Sequence, residues 1–287
     1  QLTGANVVGL AADTGKVLWK AARRGRTATV STPIFHDGHV FVSSSYGVGC
    51  NGFKVTYNDK SFSAKQTYAN KSIANHHGGC IRVGDYVYAS SSSRLVCVDL
   101  KTGKEMWKER SAGKGSIVVV DDKIILRAES GPIALVELNP NAYKQISKFN
   151  QPDRSRARAW PHPVVSNGVL YIRDQDTLLA YDLHADGSAT FRKVLYDYSP
   201  EDGPDGLVCD ADGNLYVAVR DLTRPGIVVY SPAGEELAYI PTPVPTNVAF
   251  GRGEKSKTLY ITYAGSSGGT LAKIQVEREG YQLPSPQ

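Results

Sequence analysis

No stretch of this chain approaches the eighteen consecutive apolar residues of a membrane span, although 41% of its 287 residues are hydrophobic. The apolar content is dispersed, as in a chain that buries a sizeable core. Helical periodicity is equally scarce, since no window keeps apolar residues at three- and four-residue spacing for more than two turns. Neither a Walker loop, a GxSxG elbow nor an HExxH pair occurs, and the pairs Gly78-Gly79 and Gly268-Gly269 lack the strand-to-helix setting that phosphate binding needs. There are four cysteines and no CxxC among them. The 33 basic and 28 acidic residues, net +5, are spread over both halves, and the local clusters Lys20 to Arg26 and Arg154, Arg156 and Arg158 read as solvated faces. A nucleic-acid binder would concentrate its charge in a stripe with stacking aromatics, so that class is set aside. The sequence opens on Gln1 with neither an initiator Met nor a signal peptide, and reads as a processed or trimmed chain.

What the chain has instead is a repeat. Gly79 to Lys108, GCIRVGDYVYASSSSRLVCVDLKTGKEMWK, contains alternating strands closed by Gly84-Asp85 and by the TGK turn at Thr102-Gly103-Lys104. Inner hairpin turns recur at Asp37-Gly38, Gly84-Asp85, Asp121-Asp122, Asn167-Gly168 and Asp212-Gly213, with a longer loop from Gly251 to Lys257. Outer hairpin turns recur at Thr14-Gly15, Asn58-Asp59, Thr102-Gly103, Asn139 to Asn141, Asp186-Gly187 and Ala233-Gly234. That spacing suits four-stranded units repeated six times, and predicts an all-β, six-bladed β-propeller forming a single domain over residues 1–287. Because the chain begins with an outer hairpin and ends with an inner one, the simplest closure sets the amino-terminal hairpin on the edge of the last inner hairpin. Gly269 to Glu277 also reads as a strand and competes for that place; a seventh, incomplete blade is the alternative. Cys97 and Cys209 read as small buried thiols, while Cys50 and Cys80, in neighbouring blades, could bridge or remain free.

In such a ring the start of each innermost strand lies at the rim of the central channel. This places Thr32, His77, Ser116, His162, Asp205 and Asn247 as candidate rim residues, with His76 beside His77 and Trp160 close to His162. Two imidazoles, a carboxylate and an amide (His77, His162, Asp205, Asn247) could hold a divalent cation of the zinc or calcium kind. The competing reading is that His76, His77 and His162 simply hydrogen-bond loop backbone in a polar channel; for a binding propeller the ligand-binding candidates are Thr32, His76, His77, Trp160, His162 and Asn247. Trp160, in a Pro-flanked segment, is expected to be partly exposed. Asp174 and Asp176 read as exposed turn residues, with Arg173 able to pair with Asp174.

The repeat also carries a resemblance that splits the chain. Over about residues 6–183, AADTGKVLWK and VDLKTGKEMWK resemble the pyrroloquinoline-quinone-type propeller repeat, including the outer-membrane assembly propellers of bacterial envelopes. The resemblance implies that Trp19 and Trp107 dock between blades. It implies no quinone, because the adjacent cysteine pair and stacking platform of the quinone dehydrogenases are not visible. Over about residues 194–277, PDGLVCDADGNLYVA and PTNVAFG are similar to the senescence marker protein and gluconolactonase family. There the Asp of the PDG motif binds a catalytic divalent cation, which carries over to Asp205; no match is found for the family's remaining ligands in the earlier blades. Two functions follow as expectations: a binding or scaffold propeller for a protein, peptide or glycan, or a metal-dependent hydrolase of lactones or related esters with Asp205 as its catalytic ligand residue. The resemblance further implies a periplasmic or extracellular setting, and the chain is expected to be a monomer.

Overall fold

The computed structural model describes residues 1–152, 154–201, 203–265 and 268–281. The chain divides into two compact units, Gln1–Asp153 and Arg154–Gln287. In the first, β1 (Asn6–Leu10) and β2 (Val17–Ala22) form a two-stranded hairpin ahead of three four-stranded antiparallel blades. These blades are β3 (Ile34–His36), β4 (His39–Ser44), β5 (Gly49–Asn58) and β6 (Ser61–Asn70); then β7 (Cys80–Val83), β8 (Tyr86–Ser91), β9 (Arg94–Asp99) and β10 (Glu105–Arg110); then β11 (Gly115–Val120), β12 (Lys123–Ala128), β13 (Pro132–Glu137) and β14 (Gln145–Asn150). The second unit has β15 (Val164–Ser166), β16 (Val169–Asp174), β17 (Thr177–Leu183) and β18 (Ala189–Asp197), followed by β19 (Pro204–Cys209), β20 (Leu215–Val219), β21 (Gly226–Tyr230) and β22 (Glu236–Pro241). Its third blade, β23 (Pro245–Phe250), β24 (Thr258–Gly265) and β25 (Gly268–Gln275), has three strands. These are the six blades of an all-β propeller; among the described residues the only helical turn is the 3-10 segment Gly253–Lys255.

Turn chemistry explains the meander. At Asp37-Gly38 and at Asn167-Gly168 both residues have positive φ, the conformation of a two-residue hairpin turn whose twist matches its strands. Burial follows position in the blade. β8, β12 and β20 are buried on nearly every residue, because packed neighbours cover both faces, whereas β6 and β22 are largely exposed. Between the second and third blades the core joins Tyr88, Leu95, Cys97 and Trp107 to Ile117, Ile124 and Leu126. Trp107 is 8% exposed and its indole N–H donates to the Asn139 carbonyl at 2.8 Å, as the docking role implied. In the second unit Tyr171, Leu178 and Tyr198 pack with Leu215, Val217 and Tyr230.

The expected pairing of the amino-terminal hairpin with β24 is not made. The second edge of β24 is taken by β25, in register from Thr258 opposite Gln275 to Gly265 opposite Gly268, so the place assigned to the amino-terminal hairpin is filled. Adjacency decides it: β25 follows β24 directly, and a short loop costs far less closure entropy than pairing strands from opposite ends of the chain. The hairpin stays a sheet of two strands and packs Leu2, Val7 and Ala21 on Val40, Val42 and Phe53 of its own unit. The Cys50 to Cys80 bridge is likewise not made. All four cysteines are free thiols, and Cys50 Sγ donates to Asn70 Oδ1 at 3.0 Å.

Candidate functional site

In an antiparallel blade, the start of the first strand and the end of the second lie side by side, so two sets of loop residues share one end of each blade. The third blade shows the rule: Gly115 pairs with Ala128, and Glu129 N–H donates to the Lys114 carbonyl at 2.8 Å. Sequence reasoning found residues at or just before the start of the first strand. It missed those just after the second, namely Tyr46 beyond β4, Glu129 beyond β12 and Arg220 beyond β20, although their distance from each inner turn would have located them.

In the first unit this end of the blades is polar and tightly hydrogen-bonded. Asn75 is the hub: its N–H donates to Ser43 Oγ at 3.0 Å, its amide donates to the Gly79 and Ser90 carbonyls, and its carbonyl oxygen accepts from Ser31 Oγ at 2.7 Å. A buried, satisfied amide of this kind fixes the loop that follows it. That loop carries His76 and His77. His76 Nε2 lies 3.0 Å from the Tyr46 hydroxyl, and the two histidines approach through their Nδ1 atoms at 2.9 Å. His77 Nε2 is 3.9 Å from Glu129 Oε2, and Lys114 Nζ is 3.0 Å from Glu129 Oε1. Thr32 is exposed, and Ser116 is buried within β11.

In the second unit the backbone just after Asp205 lies against Asn247 of the neighbouring blade. Gly206 makes this possible, since a Cβ there would stand 2.0 Å from Asn247 Oδ1 and 2.8 Å from its Cα. The ladders are interrupted at the same places, between Pro204 and Leu207 and between Pro245 and Asn247. Asp205 Oδ2 accepts from Arg220 at 3.4 Å, and Asn247 Oδ1 accepts from the Val248 N–H at 2.8 Å. Trp160, 50% exposed, and His162, also exposed, lie on the segment before β15. Asp174 is not the exposed turn residue expected. It is 6% exposed, and its two oxygens accept from Ser155 N–H at 2.8 Å and Ser155 Oγ at 2.7 Å, anchoring the Arg154 to Arg158 loop. Arg173 donates to the Gln175 carbonyl at 2.7 Å. Among the described residues, no three His, Cys, Asp or Glu side chains form a group able to hold a metal ion.

Comparison with known proteins reproduces the split seen in the sequence. A family model described as the SMP-30/gluconolactonase/LRE-like region matches residues 164–265, and one described as outer membrane protein assembly factor BamB matches residues 1–109 and 54–139. Each match spans less than half of the chain. No curated protein matches it in sequence. Among solved structures, BamB from Moraxella catarrhalis is similar with a TM-score of 0.68 at 14% identity, covering 95% of this chain and 80% of that one. A protein assigned as a 6-phosphogluconolactonase from Bacteroides fragilis gives 0.61 at 14% identity, over 97% and 95% of the two chains. The computationally designed protein Ika8 gives 0.65 at 10% identity, over 90% and 74%. Likenesses at this level of identity speak to the propeller fold. No helix among the described residues is long and apolar enough to cross a membrane.

Proposed function

We propose that the chain is a binding propeller that holds a protein or peptide segment on its loop-bearing surface, rather than a lactone hydrolase. The observation that carries this reading is the Asp205 and Arg220 pair. In the lactonase-like reading Asp205 would ligate the catalytic cation, yet a guanidinium already stands 3.4 Å from its carboxylate, and a cation there would meet like charge. Asn247, the neighbouring donor, has its amide oxygen turned to the Val248 N–H. These residues therefore do not suit the family's cation. Loops on a rigid sheet scaffold commonly carry binding function, and two of the loop residues, Tyr46 and Trp160, present half-exposed rings of the kind that anchor partners.

The outer-membrane assembly likeness supports an envelope setting, periplasmic or extracellular, and a monomeric scaffold is the simplest form. The hydrolase is the second reading, supported by the PDG motif at Asp205 and by the packing of Gly206 on Asn247. One experiment separates the two. Gluconolactone is offered to the protein with calcium, zinc or manganese, and turnover is compared with Asp205→Ala. Equal rates, at the level of spontaneous hydrolysis, are expected. Metal-dependent turnover that Asp205→Ala abolishes would overturn the binding reading.

A further inference from the structure

The hairpin of β5 and β6 is longer than its blade. Each strand has ten residues, where every other described strand has nine or fewer. Val55 N–H donates to the Gly38 carbonyl at 2.8 Å, which marks the end of the inner hairpin. Residues 56 to 63 therefore project past it by three residues of each strand, about 10 Å. The projecting tip is held by a hydrogen bond between the Thr56 and Ser63 hydroxyls at 2.9 Å and by the cross-strand pair Tyr57 and Phe62, whose ring centroids are 4.6 Å apart. Those two rings are nonetheless 58% and 39% exposed. They stand two residues beyond Val55 and Ala64, which pack with Trp19 of β2. Burial falls off in step along both hairpins: Phe53 and Ala21 are buried, Val55 and Trp19 half-buried, Tyr57 and Val17 exposed. The tip of β1 and β2 thus opens beside that of β5 and β6, and adds Leu10, Val17 and Leu18, which are 45%, 55% and 38% exposed.

The charge around these five side chains has one sign in excess. Lys16, Lys20, Lys60 and Lys65 are exposed, and Asp13 and Asp59 are the only acids in the two tips. Among the described residues none of the four lysines is in an ion pair. We propose that the two tips dock the chain on an anionic phospholipid surface, with the five apolar side chains entering the headgroup boundary and the lysines resting on lipid phosphates. Shape favours lipid over protein. A stable protein interface buries about 800 Å² per partner, more than five partly covered side chains on two narrow tips offer. A bilayer needs no matching surface: a few aromatic and aliphatic side chains at headgroup depth, with lysines near acidic lipid, give reversible binding. Tyrosine suits that depth, its ring being apolar and its hydroxyl polar. The tips lie at the turn end of the blades, opposite the loops of the binding reading, and the proposal does not depend on that reading.

The test floats the full chain with vesicles of phosphatidylcholine, alone or mixed equally with phosphatidylglycerol. Partition onto the mixed vesicles should exceed that onto the neutral ones by about tenfold, and should fall as salt rises from about 0.1 M to about 1 M and the screening length drops from about 10 Å to 3 Å. Tyr57→Ser with Phe62→Ser should weaken partition by about tenfold or more at unchanged net charge, which separates insertion from the general attraction of a basic chain. Lys60→Gln with Lys65→Gln, on exposed side chains that take no part in the packing, should weaken it by about tenfold. Leu237→Ser, an exposed apolar position beside Glu235 and Glu236, should leave it unchanged. Partition that neither double variant alters would overturn the proposal. So would a chain that stays off the mixed vesicles: a dimer in sedimentation velocity, lost in Tyr57→Ser with Phe62→Ser, would assign the tips to a second copy, and a monomer would assign them to a partner protein.

Discussion

Replacing Trp107 with alanine tests the packing that joins the second blade to the third. The indole sits on β10 with its ring centroid 5.9 Å from Tyr88 and 5.6 Å from Tyr143, the latter at 63°, and its N–H reaches the Asn139 carbonyl. Truncating a buried Trp or Phe to Ala costs about 3–5 kcal/mol, because the lost transfer energy is joined by that of the cavity left behind. The hydrogen bond adds little to this, since Asn139 is half-buried and water can replace the donor. The expected loss is therefore about 4 kcal/mol, set against the 5–15 kcal/mol or so that holds most domains together. Urea unfolding followed by far-ultraviolet circular dichroism is the suitable assay, as intrinsic fluorescence changes with the substitution itself. Trp107→Phe keeps the contacts with Tyr88 and Tyr143 but drops the hydrogen bond and some volume, and should lose only about 1–2 kcal/mol. Trp160→Ala, removing a half-exposed ring, should stay within about 0.5 kcal/mol. A loss below about 1 kcal/mol for Trp107→Ala, at an unchanged urea slope, would refute the packing argument.

Gly206→Ala should destabilise by about 1–3 kcal/mol, since the new methyl meets the Asn247 backbone, and a neutral result in urea unfolding would mean the two blades separate easily. Tyr198→Phe should cost about 1 kcal/mol, because its hydroxyl donates to the Tyr230 hydroxyl at 2.9 Å inside the core. Burial pushes the Cys97 thiol from its ordinary 9.0 up to about 12. Above pH 9 the unfolded chain then loses this proton while the native chain keeps it, so stability should fall between about pH 9 and pH 12. Urea midpoints compared at pH 8 and 10 should show a smaller fall for Cys97→Ala than for the wild type; an equal fall would place the titrating group elsewhere.

The sequence by itself determined the blades, because what makes a blade is local. Turn pairs such as Asp37-Gly38 and Asn167-Gly168 demand positive φ, and they set hairpin register wherever they occur. The blade-docking role of Trp107 was legible for a related reason: it recurs at a fixed place in a repeat whose geometry is known once the turns are known. The candidate site was legible only in part. Asp205 and His77 could be found from their distance to the inner turns, and Arg220, Glu129 and Tyr46 by the same distance on the other side of those turns, but which of them meet is decided by packing: Arg220 stands by Asp205, Glu129 by His77 and Tyr46 by His76. Tertiary structure also decided between two strands of similar pattern at the last sheet, since alternation in Asn6 to Ala11 and in Gly269 to Glu277 is the same signal. The short Gly265 to Gly268 connection favoured the neighbour. It decided the histidines as well: NHHGG says that two imidazoles are adjacent, and only the Asn75 hydrogen bonds, made to strands of two different blades, turn their Nδ1 atoms toward one another.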